Sequence, residues 1–121
     1  DIKNDIQKSI DLAKVAGVKD ENIMIDPGIG FAKNVQQNLQ VMNNLEQLKQ
    51  FGYPILLGTS RKSTIGHVLN LPVNEREEGT MATTAVGMMK GACDFVRVHD
   101  VLKNKRLATM IDAIIYSERN K

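Results

Sequence analysis

Apolar positions in this chain follow two rhythms, and the switch from one to the other marks its elements. In residues 1–16, Ile2, Ile6, Ile10 and Ala13 fall on one helical face with Asp, Lys and Gln between them, and Gly17 supplies the stop. Ile23, Met24 and Ile25 form a short apolar run of strand type. Asp26-Pro27-Gly28-Ile29-Gly30-Phe31 breaks all regularity: Pro27 keeps Asp26 extended, and two glycines permit a tight loop. A second helix begins after Asn34, a plausible N-cap, with Val35, Leu39, Met42, Leu45 and Leu48 on its inner face and Gly52 near its end. Pro54 opens a second strand, where its missing N–H costs least, and residues 55–57 have the composition of a strand buried on both faces.

Beyond that strand the pattern is mixed from 65 to 74, with Pro72 and Asn74 marking a turn and residues 75–78 a solvated charged run. Residues 79–91 read as a third helix, rich in small residues that allow close packing, with its methionines in the core. Residues 94–98 form a third strand, and a last helix runs from 101 to about 117 with Leu107, Ile111, Ile114 and Ile115 inward. Strands that alternate with helices predict a parallel α/β sheet with right-handed crossovers. Asp26 and Gly58 are 32 residues apart, and Gly58 and His99 are 41 apart. Eight such units would make about 250 residues, the usual size of a (β/α)8 barrel. About three parallel strands and four helices cannot close one and would leave two apolar edges. The expected architecture is half a barrel or a small open sheet.

Composition narrows the function. A hydrophobic share of 42% supports an ordered core, and a net charge of +2 with scattered basic residues gives no footprint for nucleic acid or a membrane surface. No apolar run approaches the roughly 20 residues of a membrane span, and no signal peptide is expected from the residues given. The single Cys93 reads as a buried thiol in a reducing compartment, with a nucleophilic role as the minor alternative. The absence of an initial methionine reads as a fragment or a processed product.

The densest chemistry lies where the second strand ends. Gly58-Thr59-Ser60-Arg61-Lys62-Ser63-Thr64 packs a glycine, four hydroxyls and two cations into seven residues. The hydroxyls can cap a helix, whose free N–H groups favour an anion. The alternative is a capped helix start with two solvated cations. All three predicted strands end in polar residues: Asp26, then Ser60, Arg61 and Lys62, then Arg97 and His99. In parallel α/β folds those ends share one face, and ligands bind there. Asp26 either starts a turn or reads paired N–H donors of a heterocycle. Lys62 is either solvated or bonded to a ring. Arg97 either pairs with Asp94 or Asp100 or grips a phosphate with its fork. His99, two residues on, points to the same side as Arg97 in extended chain. His67 reads as a surface or packing residue. Two motifs fail: Lys33 stands where a dinucleotide fingerprint needs its third glycine, and Arg61 stands where a P-loop needs the glycine before its lysine. No metal-ligand spacing is present, the two histidines being 32 residues apart.

Together, Ile25-Asp26-Pro27-Gly28-Ile29-Gly30-Phe31, Gly58-Thr59-Ser60-Arg61-Lys62-Ser63 and Arg97-Val98-His99-Asp100-Val101 resemble the last three strand-end motifs of the dihydropteroate synthase family, in order and across essentially the whole chain. The resemblance implies a single pterin-binding domain over 1–121, the C-terminal part of a (β/α)8 TIM barrel incomplete at its N-terminus. It implies a cytoplasmic folate-synthesis transferase that joins p-aminobenzoate to 6-hydroxymethyl-7,8-dihydropterin diphosphate and releases diphosphate with Mg2+. It also implies a homodimer in the complete enzyme and no nucleic-acid or membrane partner. By the same resemblance, Asp26 binds the pterin from deep in the barrel, and Lys62 contacts the pterin beside the aminobenzoate pocket. Ser60, Arg61 and Ser63 surround that pocket, Gly30 and Phe31 form its wall, and Arg97 and His99 hold the diphosphate. Lys62, Arg97 and His99 would be the catalytic residues. The Mg2+ ligand and part of the pterin site would lie in strands this chain lacks, so the isolated chain is expected to have little or no synthase activity. A pterin- or phosphate-binding module without catalysis, or a structural fragment that aggregates through its edges, are the alternatives.

Overall fold

The computed structural model describes residues 2–29 and 34–120. Helix α1 (Ile2–Val15) buries Ile6 and Ile10 and is followed by Gly17 at φ +92°, the left-handed stop its sequence predicts. A 3₁₀ turn (Asp20–Asn22) leads to Ile25. Instead of a full strand, Ile25 forms one isolated parallel bridge with Ile55, through Ile25 N–H to the Pro54 carbonyl at 2.8 Å and Leu56 N–H to the Ile25 carbonyl at 2.7 Å.

Helix α2 (Val35–Asn43) starts on the predicted cap. The Asn34 side chain accepts from the Gln37 N–H at 2.8 Å, and the Gln37 side chain accepts from the Asn34 N–H at 2.9 Å, a reciprocal capping box. The apolar face differs from the expected one. The helix gives way after Asn44 to a 3₁₀ segment (Leu45–Phe51); Met42, Leu45 and Leu48 are buried as expected, but Leu39 is exposed. The buried residue next to it is Asn38, whose Nδ2 donates to Thr64 Oγ1 at 2.9 Å.

Strand β1 (Leu56–Leu57) pairs in parallel with β2 (Phe95–Val96), Leu56 opposite Phe95 and Leu57 opposite Val96. The three predicted strands are therefore present as three adjacent parallel segments, each shorter than expected. The core joins Ile25, Ile29, Ile55 and Leu57 to Ile6 and Ile10 of α1 and to Met42, Leu45 and Leu48. Leu56 is half-buried and Phe95 is half exposed, so burial on both faces holds for Ile55 and Leu57 alone.

Two helices differ from expectation. Residues 63–69 form α3 (Ser63–Leu69), which ends at Asn70 in the left-handed region at φ +56°. Its apolar side is too brief for a clear helical period. Helix α4 (Glu77–Met89) starts inside the run read as solvated, and Arg76 and Glu77 are half-buried. Its buried stripe is Thr80, Thr84 and Gly87 rather than methionine, and Met89 is exposed. The close packing read from its small residues is real. A Cβ at Gly79 would lie 2.3 Å from Ile65 Cγ2, and one at Gly87 would lie 3.0 Å from Cys93 Cβ. Helix α5 (Val101–Ile115) is capped by Asp100, whose carboxylate accepts from Lys103 N–H at 3.1 Å. Its residue against α4 is buried Asn104, with Leu107 and Ile111 half-buried, while Ile114 and Ile115, expected inward, are exposed. Among the described residues no helix is long and apolar enough to cross a membrane.

Leu57→Ala should lower unfolding stability by about 2–5 kcal/mol, because Leu57 is 1% exposed and sits in the centre of the core. Phe95→Ala on the paired strand should cost about 1 kcal/mol or less, because Phe95 is 52% exposed. Urea denaturation of both variants measures the difference.

Candidate functional site

The loop after β1 holds the site together. Gly58, Thr59 and Ser60 are buried as the chain leaves the strand. The Thr59 hydroxyl meets that of Thr83 on α4 at 2.5 Å. Arg61 then takes φ +57°. That left-handed geometry costs a non-glycine residue about 1–2 kcal/mol. Its N–H donates to Thr80 Oγ1 at 3.1 Å, and its carbonyl accepts from Arg76 Nη1 at 2.9 Å. Two bonds of about 1 kcal/mol or more each, one of them charge-assisted, offset such a cost.

The reversal at Arg61 sends its neighbours to different strand ends. Ser60 Oγ lies 2.7 Å from His99 Nδ1, the donor depending on the imidazole tautomer, and it also accepts the His99 backbone N–H at 3.2 Å. Lys62 Nζ donates to the Ile29 carbonyl at 2.5 Å. One loop therefore touches the segment after the first parallel run through Lys62 and the segment after β2 through Ser60. The hydroxyls do not cap α3. Lys62 is its N-cap residue and gives no side-chain cap, Ser60 is turned to His99, and Thr64 is bonded to Asn38. Ser63 is exposed in the first turn.

Arg97 is exposed and lies along Gly58, where an added Cβ would stand 3.8 Å from Arg97 Nη1. The sequence left open a pairing with Asp94 or Asp100. Neither is made: Asp94 accepts from the Ile55 N–H at 2.8 Å, and Asp100 caps α5 and lies 3.9 Å from Lys103 Nζ. Among the described residues the Arg97 guanidinium has no ion-pair partner. His99 is exposed, and its hydrogen bonds run to the Ser60 turn.

Asp26 is exposed rather than buried, and its carboxylate accepts the Gly28 N–H at 2.7 Å, which is the turn-forming alternative. Alternation along the chain is the cause: Ile25 and Pro27 point into the core, so Asp26 points out. Gly30 and Phe31 lie outside the described residues. His67 is exposed on α3. An apolar cavity of about 190 Å³ opens beside Lys62, lined also by Ile29, Met42, Ile65, Val68 and Thr83. Among the described residues no three His, Cys, Asp or Glu side chains gather as metal ligands.

Arg76, Thr80 and Asn104 were not legible as site residues. Asn104 Nδ2 donates to Glu77 Oε1 at 2.6 Å and to the Asp100 carbonyl at 2.8 Å, and Thr84 Oγ1 reaches Asn104 Oδ1 at 3.5 Å. The signal available was three threonines, Thr80, Thr83 and Thr84, within a run of small and apolar residues from Gly79 to Met89.

A parallel α/β unit with cations, hydroxyls and an imidazole gathered beyond its strand ends is the frame of a small-molecule site at one mouth of a barrel-type fold. The chain belongs to the pterin binding enzyme family, whose model matches residues 1–99. It is 68% identical over 115 residues to the dihydropteroate synthase of Clostridium beijerinckii, covering 95% of this chain and 43% of that protein. It is 54% identical over 115 residues to the Bacillus subtilis dihydropteroate synthase, covering 95% of this chain and 40% of that one. Among solved structures it is similar to a Clostridium difficile dihydropteroate synthase determined in the presence of pteroic acid, at 51% identity and TM-score 0.87, over 94% of this chain and 44% of that one. A Yersinia pestis dihydropteroate synthase in a sulfonamide drug complex matches at 35% identity and TM-score 0.90, over 97% of this chain and 44% of the other. The chain thus spans less than half the length of these relatives, and its segments are those of part of a (β/α)8 barrel.

Cys93 is half-buried, and burial, reinforced by the Asp94 carboxylate, pushes its thiol up to about 11. It is neutral at physiological pH and unsuited to a nucleophilic role. Alkylation by iodoacetamide should run well below the rate of an unfolded control at pH 8 and rise as pH climbs towards 11, read by mass spectrometry.

Proposed function

We propose that this chain is the C-terminal part of a dihydropteroate synthase and that residues 1–121 are one pterin-binding domain. The complete enzyme would join 6-hydroxymethyl-7,8-dihydropterin diphosphate to p-aminobenzoate in the cytoplasm as a homodimer. The observation that carries the reading is the tie among strand ends, Lys62 to Ile29 and Ser60 to His99, beside an Arg97 with no ion-pair partner among the described residues. It occurs in a chain 68% identical to a dihydropteroate synthase.

In this proposal Arg97 and His99 hold the diphosphate. Charge gathers on the leaving oxygen as the bond to the pterin methylene breaks, and a guanidinium fork and an imidazole beside it lower that barrier. The pterin ring carries the cation left behind. The amine of p-aminobenzoate attacks the methylene, forms the new C–N bond and loses a proton. Lys62 lies between the two substrates, with its ammonium towards the pterin and its stem along the apolar cavity where an aromatic ring can rest. Ser60, Arg61 and Ser63 border the aminobenzoate carboxylate, with Gly30 and Phe31 as wall. Asp26 meets the pterin with the carboxylate oxygen not used by the Gly28 turn. No protein nucleophile is required, which agrees with a neutral Cys93. Positioning and electrostatics supply the catalysis. The complete enzyme's Mg2+ would be held by diphosphate and by residues outside this chain.

An assay of the isolated chain with both substrates should give little or no turnover, and turnover like that of a complete synthase would overturn the assignment of the missing groups. Calorimetry with diphosphate should detect binding that Arg97→Ala weakens about tenfold or more, the loss of a charge-assisted bond being about 1.5–3 kcal/mol. Pterin binding without product by the complete gene product would favour a binding module instead.

A further inference from the structure

Helix α4 and the N-cap residue before it present two side chains to a single residue of the site loop. Thr80 Oγ1 accepts the Arg61 N–H at 3.1 Å, and Arg76 Nη1 donates to the Arg61 carbonyl at 2.9 Å. Each of the two is itself fixed. Arg76 Nε donates to the Leu71 carbonyl at 3.0 Å, and its guanidinium lies over Gly66, where a Cβ would come within 2.3 Å of Cζ. Thr80 is fully buried, and its carbonyl accepts from both Thr83 Oγ1 and Thr84 Oγ1, at 2.7 and 3.2 Å. Arg61 between them has φ +57°, a conformation an L side chain rarely adopts unless its surroundings impose it.

We propose that Arg76 and Thr80 are positioning residues for the site: they hold Arg61 in the left-handed turn that aims Ser60 at His99 and Lys62 at the Ile29 carbonyl. Without the turn, Ser60 and Lys62 would continue an extended or helical course, and a single short loop could not serve two strand ends. Gly66 belongs to the same device, because the absence of a side chain there is what lets the Arg76 guanidinium cross α3 to reach the Arg61 carbonyl. The clamp concerns geometry alone. What the geometry serves rests on the proposed synthase reading.

Isotope-labelled protein tests the two statements separately. In the 121-residue chain, Thr80→Val removes the hydroxyl at nearly constant volume. It should abolish the left-handed carbon shift of Arg61 and move the ring nitrogen signals of His99, a residue that Thr80 itself does not bond. Thr80→Ser should restore both. Arg76→Gln and Gly66→Ala should reproduce the change, the second by displacing the guanidinium without altering α4. In an Arg61→Gly background, Thr80→Val should leave the His99 signals in place, since glycine takes positive φ unaided. Unmoved Arg61 and His99 signals in folded Thr80→Val and Arg76→Gln would overturn the clamp. Titration with p-aminobenzoate and diphosphate reads the consequence, an expected loss of about tenfold in affinity for Thr80→Val. If the unmodified chain binds neither ligand while the spectra still respond to Thr80→Val, the clamp stands and the synthase reading of this loop fails.

Discussion

A buried hydroxyl must find a partner, and α4 carries three threonines at its inner face. Thr80, Thr83 and Thr84 could have satisfied themselves wholly on the helix backbone, and Thr83 and Thr84 do accept that solution through the Thr80 carbonyl. Each also reaches outward. Thr80 meets the Arg61 N–H, Thr83 meets Thr59, and Thr84 approaches Asn104 on α5. Apolar side chains there would have packed α4 against its neighbours with no directional preference. Hydroxyls impose one register on the helix, the site loop and α5 at once, because any slip leaves polar groups unpaired in a dry interior. The position of the site loop is thus a consequence of helix packing.

The same logic explains what was legible in the sequence. Periodicity placed α1 and α5 to within a residue or two and α2 at its start, since each has either a long apolar stripe or a capping residue, as at Asn34 and Gly17, but α2 ends at Asn43 where a helix to near Gly52 was expected. It missed α3, whose seven residues hold too few turns to show a period. It misjudged the interior of α4 because the stripe of Thr80, Thr84 and Gly87 looks polar and small rather than apolar. The charged run before α4 was read as solvated, yet Arg76 lies over Gly66. A glycine and an arginine ten residues apart in sequence carry no visible sign that each is shaped to the other. Strand ends were the most legible part of the site, because polar residues there stand out against short apolar runs. Partners reached across the fold, Ser60 with His99 and Lys62 with Ile29, depend on a backbone reversal at Arg61 that no local rule demands of an arginine.

Asp26, Lys62 and Arg97 show what the fold does with charged groups whose surroundings composition leaves open. Each can be an ordinary surface charge. Asp26 uses one carboxylate oxygen for its own turn and is exposed. Lys62 is drawn inward onto the Ile29 carbonyl, which fixes a flexible stem against an apolar cavity. Arg97 has two carboxylates within three residues in sequence, and both are committed elsewhere, Asp94 to the Ile55 N–H and Asp100 to the start of α5. Those commitments are made by backbone groups, which are present whatever the ligand state. They keep the acids from neutralising the guanidinium.

The division of labour between acids and bases in this region is therefore structural. Acids are consumed in turns and caps close to the backbone, where an ionised carboxylate gains most from fixed N–H donors. One cation, Arg76, is spent inside the fold on carbonyl groups of Leu71 and Arg61. Arg97 is left exposed beside Gly58, a residue small enough for the guanidinium to lie along the backbone and still face outward. The same strand-end segment carries His99, anchored through Nδ1 and its own N–H on Ser60, so that its Nε2 edge is not the one tied to the loop. Positive groups that are placed but not neutralised concentrate positive potential at this face. Placement here comes from uncharged contacts, hydroxyl to imidazole and guanidinium stem to glycine, and so adds no competing negative charge.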